Sequence, residues 1–436
     1  MRSRRVLITG LSTYWGGRLA QALEQDPEIE TVIGIDRRPP KLALERTEFV
    51  QVSDAHSLIR RIVDAAEIDT IVDTRLVVDS IVTSRARAHE NNVIGTMNVL
   101  AAAGGPSSPV RKLVFKSSAR YYGSEQDDPA FFTEAMRRPH APGTPIERDI
   151  CEAEANVSDF RHKNPETTVT VLRFANALGP DLKTSWQSYL HLPVIPAILG
   201  FDPRVQFIHE DDMANCLEHA VKYDLNGTFN CAADGVLVLS EVVDLLGKTM
   251  VPVLPPWGTA LAAQGLRRAG VPIQSEMLPS LRFGRALDNR RYKATGFVYQ
   301  HTTRETVLRL REQQRLEPIL RGAVGTSYRY ESAVEEFLRF SPSVRQSNVR
   351  PAPLPPANSA PGARSEQEQL EGPSSATPPS STAYGSLPAR EILAILPSLS
   401  HEDLRVLREH EIHHAARATV LRGIDRLLGT PVTSVR

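Results

Sequence analysis

Cysteine is scarce in this chain. Its 436 residues include three, Cys151, Cys216 and Cys231, and none of them forms the close pair typical of a metal site. An odd and sparse set argues against a disulfide framework and favours a reducing compartment. Net charge is absent too, because Lys+Arg and Asp+Glu both number 51. No overall field therefore draws the chain to nucleic acid or to an anionic membrane surface.

Long apolar runs are also missing. No stretch of about 18 apolar residues occurs, so we expect no membrane-spanning helix. The first apolar run stops after Ile8, which is too short for the hydrophobic part of a secretory signal. Hydrophobic residues make up 41% of the chain and charged residues 23%, a balance that supports a packed core. The sequence thus predicts a cytoplasmic globular protein without a nucleic-acid partner.

Short β-branched runs alternate with amphipathic helical stretches over residues 1–335. This alternation predicts βαβ units and a parallel sheet covered by helices on both faces, an α/β fold. The predicted strands are 5–9, 31–36, 70–74, 112–118 and 168–175, and the predicted helices include 16–26, 55–67 and 91–103.

The C-terminal part of the chain has a different amino-acid composition. Proline, serine and alanine dominate residues 341–385, which predicts a disordered linker because little there can be buried. Residues 387–430 return to a helical pattern with one apolar face. Such a helix with few neighbours needs a surface to cover it, so we expect a tail module that binds a protein partner or self-associates.

Two histidine-containing segments are candidate metal sites. The tail contains an HExxH match at 410–414, but no third ligand is evident, and a solvated helix face is the better interpretation. His209 is followed by Asp211 and Asp212. No other histidine lies within nine residues of it, so we interpret it as a hydrogen-bonded strand end that leads into a helix. We therefore predict no metal.

The first predicted strand ends in a glycine-containing turn that opens a helix. Backbone N–H groups at such a helix N-terminus can approach a pyrophosphate. Asp36 ends the second strand, where an acidic residue binds the adenine ribose hydroxyls, and this favours NAD. Arg37 and Arg38 follow and could receive a 2′-phosphate, which leaves NADP open. The candidate cofactor-binding residues of the turn are Thr9, Gly10, Thr13, Trp15 and Gly16.

Several segments, taken in order, resemble the extended short-chain dehydrogenase/reductase family of NAD-dependent epimerases and dehydratases. The first turn follows its TGxxGxxG pattern, with Thr13 in place of the middle glycine. The runs NNVIGTMNVL, FKSSARYYG and VLRFANALGPD match its asparagine-glycine helix, SSxxxYG segment and RxxNxxGP loop. The resemblance extends from residue 5 to about 320 and is nearest to the UDP-glucose 4-epimerase-like subgroup. It implies a Rossmann-like doubly wound sheet, with a smaller substrate lobe mainly from about residue 176.

The resemblance also implies roles for individual residues. Asn92 would contact the cofactor, and Arg75 would reach its diphosphate, with a solvated loop arginine as the alternative for Arg75. Tyr122, Arg173 and Asn176 would bind a nucleotide or nucleotide-sugar, although the last two could equally tie down the loop after a strand. Family members often pair through a two-helix face, which implies a homodimer.

The family's proton-transfer pair is missing. Counting back from Glu154 puts Ile150 at the position of the family's lysine and Ile146 at that of its tyrosine, and none of the ten tyrosines is followed by lysine at that spacing. Losing a general acid–base group typically slows a reaction about 10²- to 10⁴-fold. Ser118 stands at the position of the family's active-site hydroxyl. Glu147 is a candidate substitute base, whose alternative is a carboxylate that favours a helix start.

Three hypotheses follow from these residues. The first is a nucleotide- or nucleotide-sugar-binding protein with a degenerate active site, acting as a sensor, scaffold or regulator. The second is an active but non-standard epimerase, dehydratase or oxidoreductase that uses Ser118 and a substitute base. The third is a structural module with an empty cleft. It is favoured by three departures from the family pattern: Thr13 replaces a glycine, Gln51 stands where the family often has an acidic residue near the adenine, and Arg75 lies in a turn that is usually small and apolar.

Overall fold

The computed structural model describes residues 3–52, 56–79, 81, 83–254, 259–268 and 273–316, and five positions further on. Those five, Arg408, Val420, Leu421, Ile424 and Asp425, are helical and belong to a separate unit from residues 3–316. In that unit, Arg408 Nε donates a hydrogen bond to Asp425 Oδ1 at 2.6 Å. The predicted linker, 341–385, and the rest of the predicted tail, 387–430, lie outside the described residues.

Seven of the strands form one parallel sheet in the order β11-β6-β5-β4-β1-β2-β3. Residues of β1, β4, β5 and β6 are almost all buried, as expected for strands that have helices on both faces. The strands are β1 (Arg5–Thr9), β2 (Thr31–Asp36), β3 (Thr47–Gln51), β4 (Thr70–Asp73), β5 (Lys112–Ser118), β6 (Thr168–Phe174), β7 (Asn176–Leu178), β8 (Val194–Ile198), β9 (Arg204–Val205), β10 (Phe207–His209), β11 (Gly227–Cys231), β12 (Leu237–Val238) and β13 (Thr249–Leu254).

Helices follow most of these strands. A π-helical turn, Glu90–Gly95, joins two of them, and 3₁₀ turns occur at Ala119–Tyr122 and Ser275–Met277. The α-helices are α1 (Tyr14–Glu24), α2 (His56–Ala65), α3 (Arg85–His89), α4 (Thr96–Ala103), α5 (Pro145–Lys163), α6 (Ser185–Leu190), α7 (Glu210–Lys222), α8 (Leu239–Leu245), α9 (Thr259–Arg268), α10 (Leu278–Arg282), α11 (Arg290–Lys293) and α12 (Thr303–Leu316).

The two faces of the sheet carry separate apolar clusters. Val6 and Ile8 of β1 pack with α1 and α7 on one face. Leu7 points the other way and packs with α2, α4 and α5. This follows from the alternation of side chains along a strand. The predicted Rossmann-like doubly wound sheet is confirmed.

A third apolar cluster builds the smaller lobe. Its members lie between Leu178 and Leu310 and include Trp186, Tyr189 and Phe207. Three two-stranded pairs accompany it, β10 with β7, β12 with β9 and β13 with β8. The chain passes back to the main sheet once in this region, through β11.

The observed strands agree closely with the predicted ones. β1, β2 and β5 have the predicted bounds, and β4 and β6 each end one residue early. β3 was not predicted, and it is an edge strand with partly exposed residues. Among the described helices, none has the length and apolar character needed to cross a membrane.

Candidate functional site

A cleft of about 340 Å³ lies at the carboxyl ends of the central strands. In doubly wound sheets, ligands bind outside these ends, where the strand order reverses. Here the reversal falls between β1 and β4, the strands that flank the cleft. The cleft is lined by residues 12–15, 74–79, 116–118, 174–177 and 181–184, with Arg38, Lys41, Arg120, Trp186 and Met213.

The turn between β1 and α1 requires two of its glycines. Gly10 has a φ of +83°, a conformation that residues with a Cβ rarely adopt. A Cβ on Gly16 would lie 2.3 Å from Gly10 O. Thr13, which replaces the family's middle glycine, caps α1: its Oγ1 accepts from Gly16 N at 3.1 Å and donates to Gly10 O at 2.7 Å. The N–H groups of Tyr14 and Trp15, in the first helical turn, have no intrahelical acceptor and can bind an anion.

Asp36 lies at the end of β2, next to this turn. Its Oδ2 accepts from Ser12 N at 2.9 Å and from Ser12 Oγ at 2.7 Å. Arg37 turns away and its Nη2 pairs with Glu90 Oε1 at 2.8 Å. Arg38, by contrast, lines the cleft, so it is better positioned than Arg37 to receive a 2′-phosphate.

Arg75 is buried at the base of the cleft. Its Nε and Nη2 donate to the two carboxylate oxygens of Asp73 at 3.0 and 2.9 Å. Thr9 Oγ1 donates to the same carboxylate at 2.8 Å. Burial alone would raise the pKa of Asp73, but the charge and hydrogen bonds of Arg75, together with the hydrogen bond from Thr9, outweigh burial and lower that pKa below its ordinary value. The alternative of a solvated loop arginine is wrong, because only 8% of Arg75 is exposed.

Asn92 holds the loop after β4 in place. It lies buried in the π-helical turn, where its Oδ1 accepts from Val77 N and its Nδ2 donates to Val77 O, both at 2.7 Å. Val77 lines the cleft. Asn92 therefore shapes the cleft through this loop.

The two isoleucines that the resemblance places at the family's tyrosine and lysine positions are buried among apolar side chains. Ile146 is 4% exposed and Ile150 is fully buried. Both belong to the apolar cluster that packs α5 against the sheet, with Leu113 and Phe115 of β5 among its members. Neither isoleucine lines the cleft.

Three polar residues of β5 line the cleft, Lys116, Ser117 and Ser118. Ser118 Oγ accepts from Arg120 N at 3.2 Å. Lys116 is 3% exposed, and its Nζ donates to Leu76 O at 3.0 Å. Burial lowers the pKa of Lys116 to about 8. Sequence reasoning missed this lysine, although its position two residues before Ser118 on a strand places both on the same face.

Of the five residues predicted for catalysis or substrate binding, three do not line the cleft. Glu147 Oε2 accepts from Arg138 Nη2 at 2.7 Å and from Gly143 N at 3.0 Å, which leaves the substitute-base hypothesis without support. Tyr122 is buried, its hydroxyl donates to Asn230 Oδ1 at 2.8 Å, and burial raises its pKa to about 12.

Arg173 is the third, and it pairs with Glu154 on the α5 side of the sheet. Its Nη2 donates to Glu154 Oε2 at 2.6 Å, and its guanidinium lies 3.6 Å from the centre of the Tyr121 ring. Asn176, the remaining substrate-binding candidate, does line the cleft.

His209 caps α7, with Nδ1 accepting from Asp211 N at 3.3 Å. His301, which is distant in sequence and was not predicted near this site, brings its imidazole ring to 4.4 Å from that of His209. With Asp211 they form a group whose potential ligand atoms lie within 4.8 Å of one another. Arg18 Nη2, however, already pairs with Asp211 Oδ1 at 2.9 Å. Its positive charge would repel a metal ion bound at this group.

The glycine turn, the acid at the end of β2 and the cleft at the reversal point together define a dinucleotide-binding α/β protein. Comparison with known families identifies one family within this class. Residues 6–232 match the model of the NAD dependent epimerase/dehydratase family. The chain belongs to this family.

Individual relatives and solved structures are similar to a large part of this chain. The uncharacterized protein Rv0501 of Mycobacterium tuberculosis is 36% identical over 310 residues, which cover 69% of this chain and 81% of the relative. A UDP-glucose 4-epimerase of Thermotoga maritima, solved with UDP-glucose, superposes with a TM-score of 0.54 at 17% identity over 71% of this chain and 98% of that one. A dTDP-glucose 4,6-dehydratase of Bacillus anthracis, solved in complex with NAD, superposes with a TM-score of 0.53 at 18% identity over 72% of this chain and 97% of that one.

Proposed function

We propose that this protein binds NAD(H) together with a nucleotide or nucleotide-sugar, without the tyrosine–lysine proton transfer of its family, and acts as a nucleotide-responsive binding or regulatory protein. The observation that carries the proposal is the burial of Ile146 and Ile150 in the apolar cluster under α5. Isoleucine neither transfers a proton nor carries a charge, and the two positions are closed to the cleft.

The cofactor end of the cleft fits a dinucleotide. Gly10 and Gly16 let the turn approach a diphosphate, and the open N-terminus of α1 offers N–H donors to it. Asp36 fits the ribose hydroxyls of adenosine and would repel a 2′-phosphate, which favours NAD. The likeness to a dehydratase solved with NAD supports this choice. When bound, NAD supplies a hydride acceptor, and this chain's residues hold and orient it.

The rim of the cleft is suited to anionic ligands. Arg38, Lys41 and Lys183 are exposed side chains that line it. The chain as a whole has no net charge, so this local excess of positive charge attracts a diphosphate specifically to the cleft. A nucleotide-sugar carries such a diphosphate, and the likeness to an epimerase solved with UDP-glucose supports this class of ligand.

A second candidate function is an active, non-standard epimerase, dehydratase or oxidoreductase. It is favoured by the Ser118 hydroxyl and the Asn176 amide, which both line the cleft. Glu147 gives it no support as a base, because its carboxylate is paired with Arg138.

Native mass spectrometry of the purified protein tests the principal proposal. We expect a mass increment of NAD(H) and, with added UDP-glucose, a second increment. No increment with either ligand at millimolar concentration would support an empty structural cleft instead. The same spectra report whether the chain forms the homodimer that we propose for it.

Turnover of UDP-glucose separates the two candidates. We expect none from the wild type. Turnover that disappears in Ser118→Ala and survives in Glu147→Gln would establish the second candidate, with Ser118 as its hydroxyl.

The remaining parts of the proposal concern the whole chain. We propose residues 1–335 as the nucleotide-binding unit, 341–385 as a linker and 387–430 as a helical module for a protein partner. Truncation after residue 340 tests this division, and we expect it to leave nucleotide binding unchanged.

A further inference from the structure

Lys116 is a buried lysine that opens onto the cleft. It lies on β5, where 3% of it is exposed, and it lines the cavity together with Ser118. Its one hydrogen bond to the described residues runs from Nζ to Leu76 O, at 3.0 Å. An ammonium group has three N–H donors. Two of them therefore have no acceptor among the described residues.

Lys112, on the same face of the same strand, shows what a purely structural lysine looks like in this fold. It lies at the amino end of β5, away from the cleft. Its Nζ donates to Val221 O at 2.9 Å and to Tyr223 O at 3.2 Å, and pairs with Asp224 Oδ1 at 2.9 Å. All three donors of Lys112 have acceptors. Among the described residues, no carboxylate forms an ion pair with Lys116.

The position of β5 indicates which part of a dinucleotide would reach Lys116. Asp36 marks the adenosine end, on β2. The sheet order places β1, β4 and then β5 beyond β2, so β5 lies three strand spacings away, or about 14 Å. A dinucleotide that starts at Asp36 and crosses the N-terminus of α1 reaches β5 with its second nucleoside.

We propose that Lys116 binds the hydroxyls of the ribose farther from Asp36. The ammonium group of the site would then come from β5, because α5 carries Ile150 at the position where the resemblance implies a lysine. This inference rests on the proposed binding of NAD(H). Lys116 is then a ligand-binding residue of this chain, and the carbonyl group of Leu76 orients its ammonium group.

Truncated ligands test the inference, because ADP-ribose contains the second ribose and ADP does not. Affinities are measured by quenching of tryptophan fluorescence, to which Trp15 and Trp186 contribute from the wall of the cleft. In Lys116→Met we expect affinity for ADP-ribose to fall about 10- to 100-fold, the range for a lost hydrogen bond to a charged group. Affinity for ADP should change less than about twofold.

Two control variants accompany this measurement. Lys112→Met removes a buried ammonium from the same strand face and should leave both affinities unchanged. Asp36→Ala acts at the adenosine end and should weaken ADP and ADP-ribose by the same factor. If Lys116→Met fails to fold, Lys116→Gln replaces it, since the glutamine amide can still donate to Leu76 O without the charge.

Equal losses of affinity for ADP and ADP-ribose in Lys116→Met, or no loss for either, would overturn the inference. Lys116 would then only hold the loop after β4 in place. If the wild type binds ADP-ribose no better than ADP, the second ribose has no site and the inference is likewise wrong. Failure of the wild type to bind NAD(H), ADP-ribose and ADP alike would overturn the proposed function itself.

Discussion

The two halves of the cleft differ in how many residues match the family's pattern. At the adenosine half, Gly10, Gly16 and Asp36 provide the turn and the acid that a dinucleotide requires. At the other half, α5 presents Ile146 and Ile150 to an apolar cluster and not to the cleft. A binding surface and a proton-transfer site on one fold can therefore change independently, because they are built from different elements.

The largest effect should come from restoring charge under α5. Ile150→Lys places an ammonium in a fully buried apolar position, and we expect the free energy of unfolding to fall by about 4 kcal/mol. Chemical denaturation measures this, and Ile150→Met is the control of similar volume, expected to cost less than about 1.5 kcal/mol. A stable Ile150→Lys protein with improved NAD binding would mean that this position reaches the cleft.

The next effect concerns pH and the lysine that does face the cleft. The pKa of Lys116 in the folded protein is lowered to about 8 from 10.5, so the unfolded chain binds more protons between these values. The cost of burying the charge is fully present below about pH 8 and disappears by about pH 10.5. Stability should therefore rise with pH through this window by up to roughly 3 kcal/mol.

The Lys116 contribution is isolated by subtracting the unfolding free energy of Lys116→Met from that of the wild type at each pH. All other titrating groups, Lys112 included, are present in both proteins. A difference that does not vary between pH 7 and pH 10 would show that Lys116 titrates normally.

A smaller effect is expected from the adenosine half. Gly16→Ala brings a Cβ against the carbonyl oxygen of Gly10, and we expect a loss of about 1–3 kcal/mol in stability with weakened NAD binding. Gly17→Ala is its control, because there the nearest atom is Leu42 Cδ1, on a flexible side chain, at 3.1 Å. Titration calorimetry with NAD should separate the two variants, and equal affinities would argue against a diphosphate at this turn.

The smallest effect should distinguish two neighbouring arginines. Arg38→Ala removes a cation from the rim of the cleft and should weaken NADP binding more than NAD binding, in each case by less than about 1 kcal/mol at physiological salt. Arg37→Ala breaks an exposed pair with Glu90 and should change neither affinity. The reverse result would move the adenosine end of the ligand towards Glu90.

The sequence predicted the sheet well because its inner strands are apolar on both faces. β1, β2 and β5 were located to the residue. The edge strand β3 was missed, since it is partly exposed and has little of the apolar pattern on which the prediction depended. The absence of the tyrosine–lysine pair could be seen from spacing alone.

The site was predicted less well because adjacency in sequence does not tell which face of an element a side chain occupies. Ser117 and Ser118 are neighbours and both line the cleft, yet the Ser117 hydroxyl donates to Glu154 under α5 while the Ser118 hydroxyl accepts from Arg120 N. Tyr122 and Arg173 match family positions and still lie outside the cleft wall. Lys116 was overlooked because a single lysine in an apolar strand forms no motif.

The threonine that caps α1 has a consequence for how the protein responds to its ligand. Because Thr13 already satisfies Gly16 N and Gly10 O, the turn keeps its shape when nothing is bound. Filling and emptying of the cleft then need no refolding of the loop. Under the proposed function, occupancy of the cleft can then follow the surrounding nucleotide concentration.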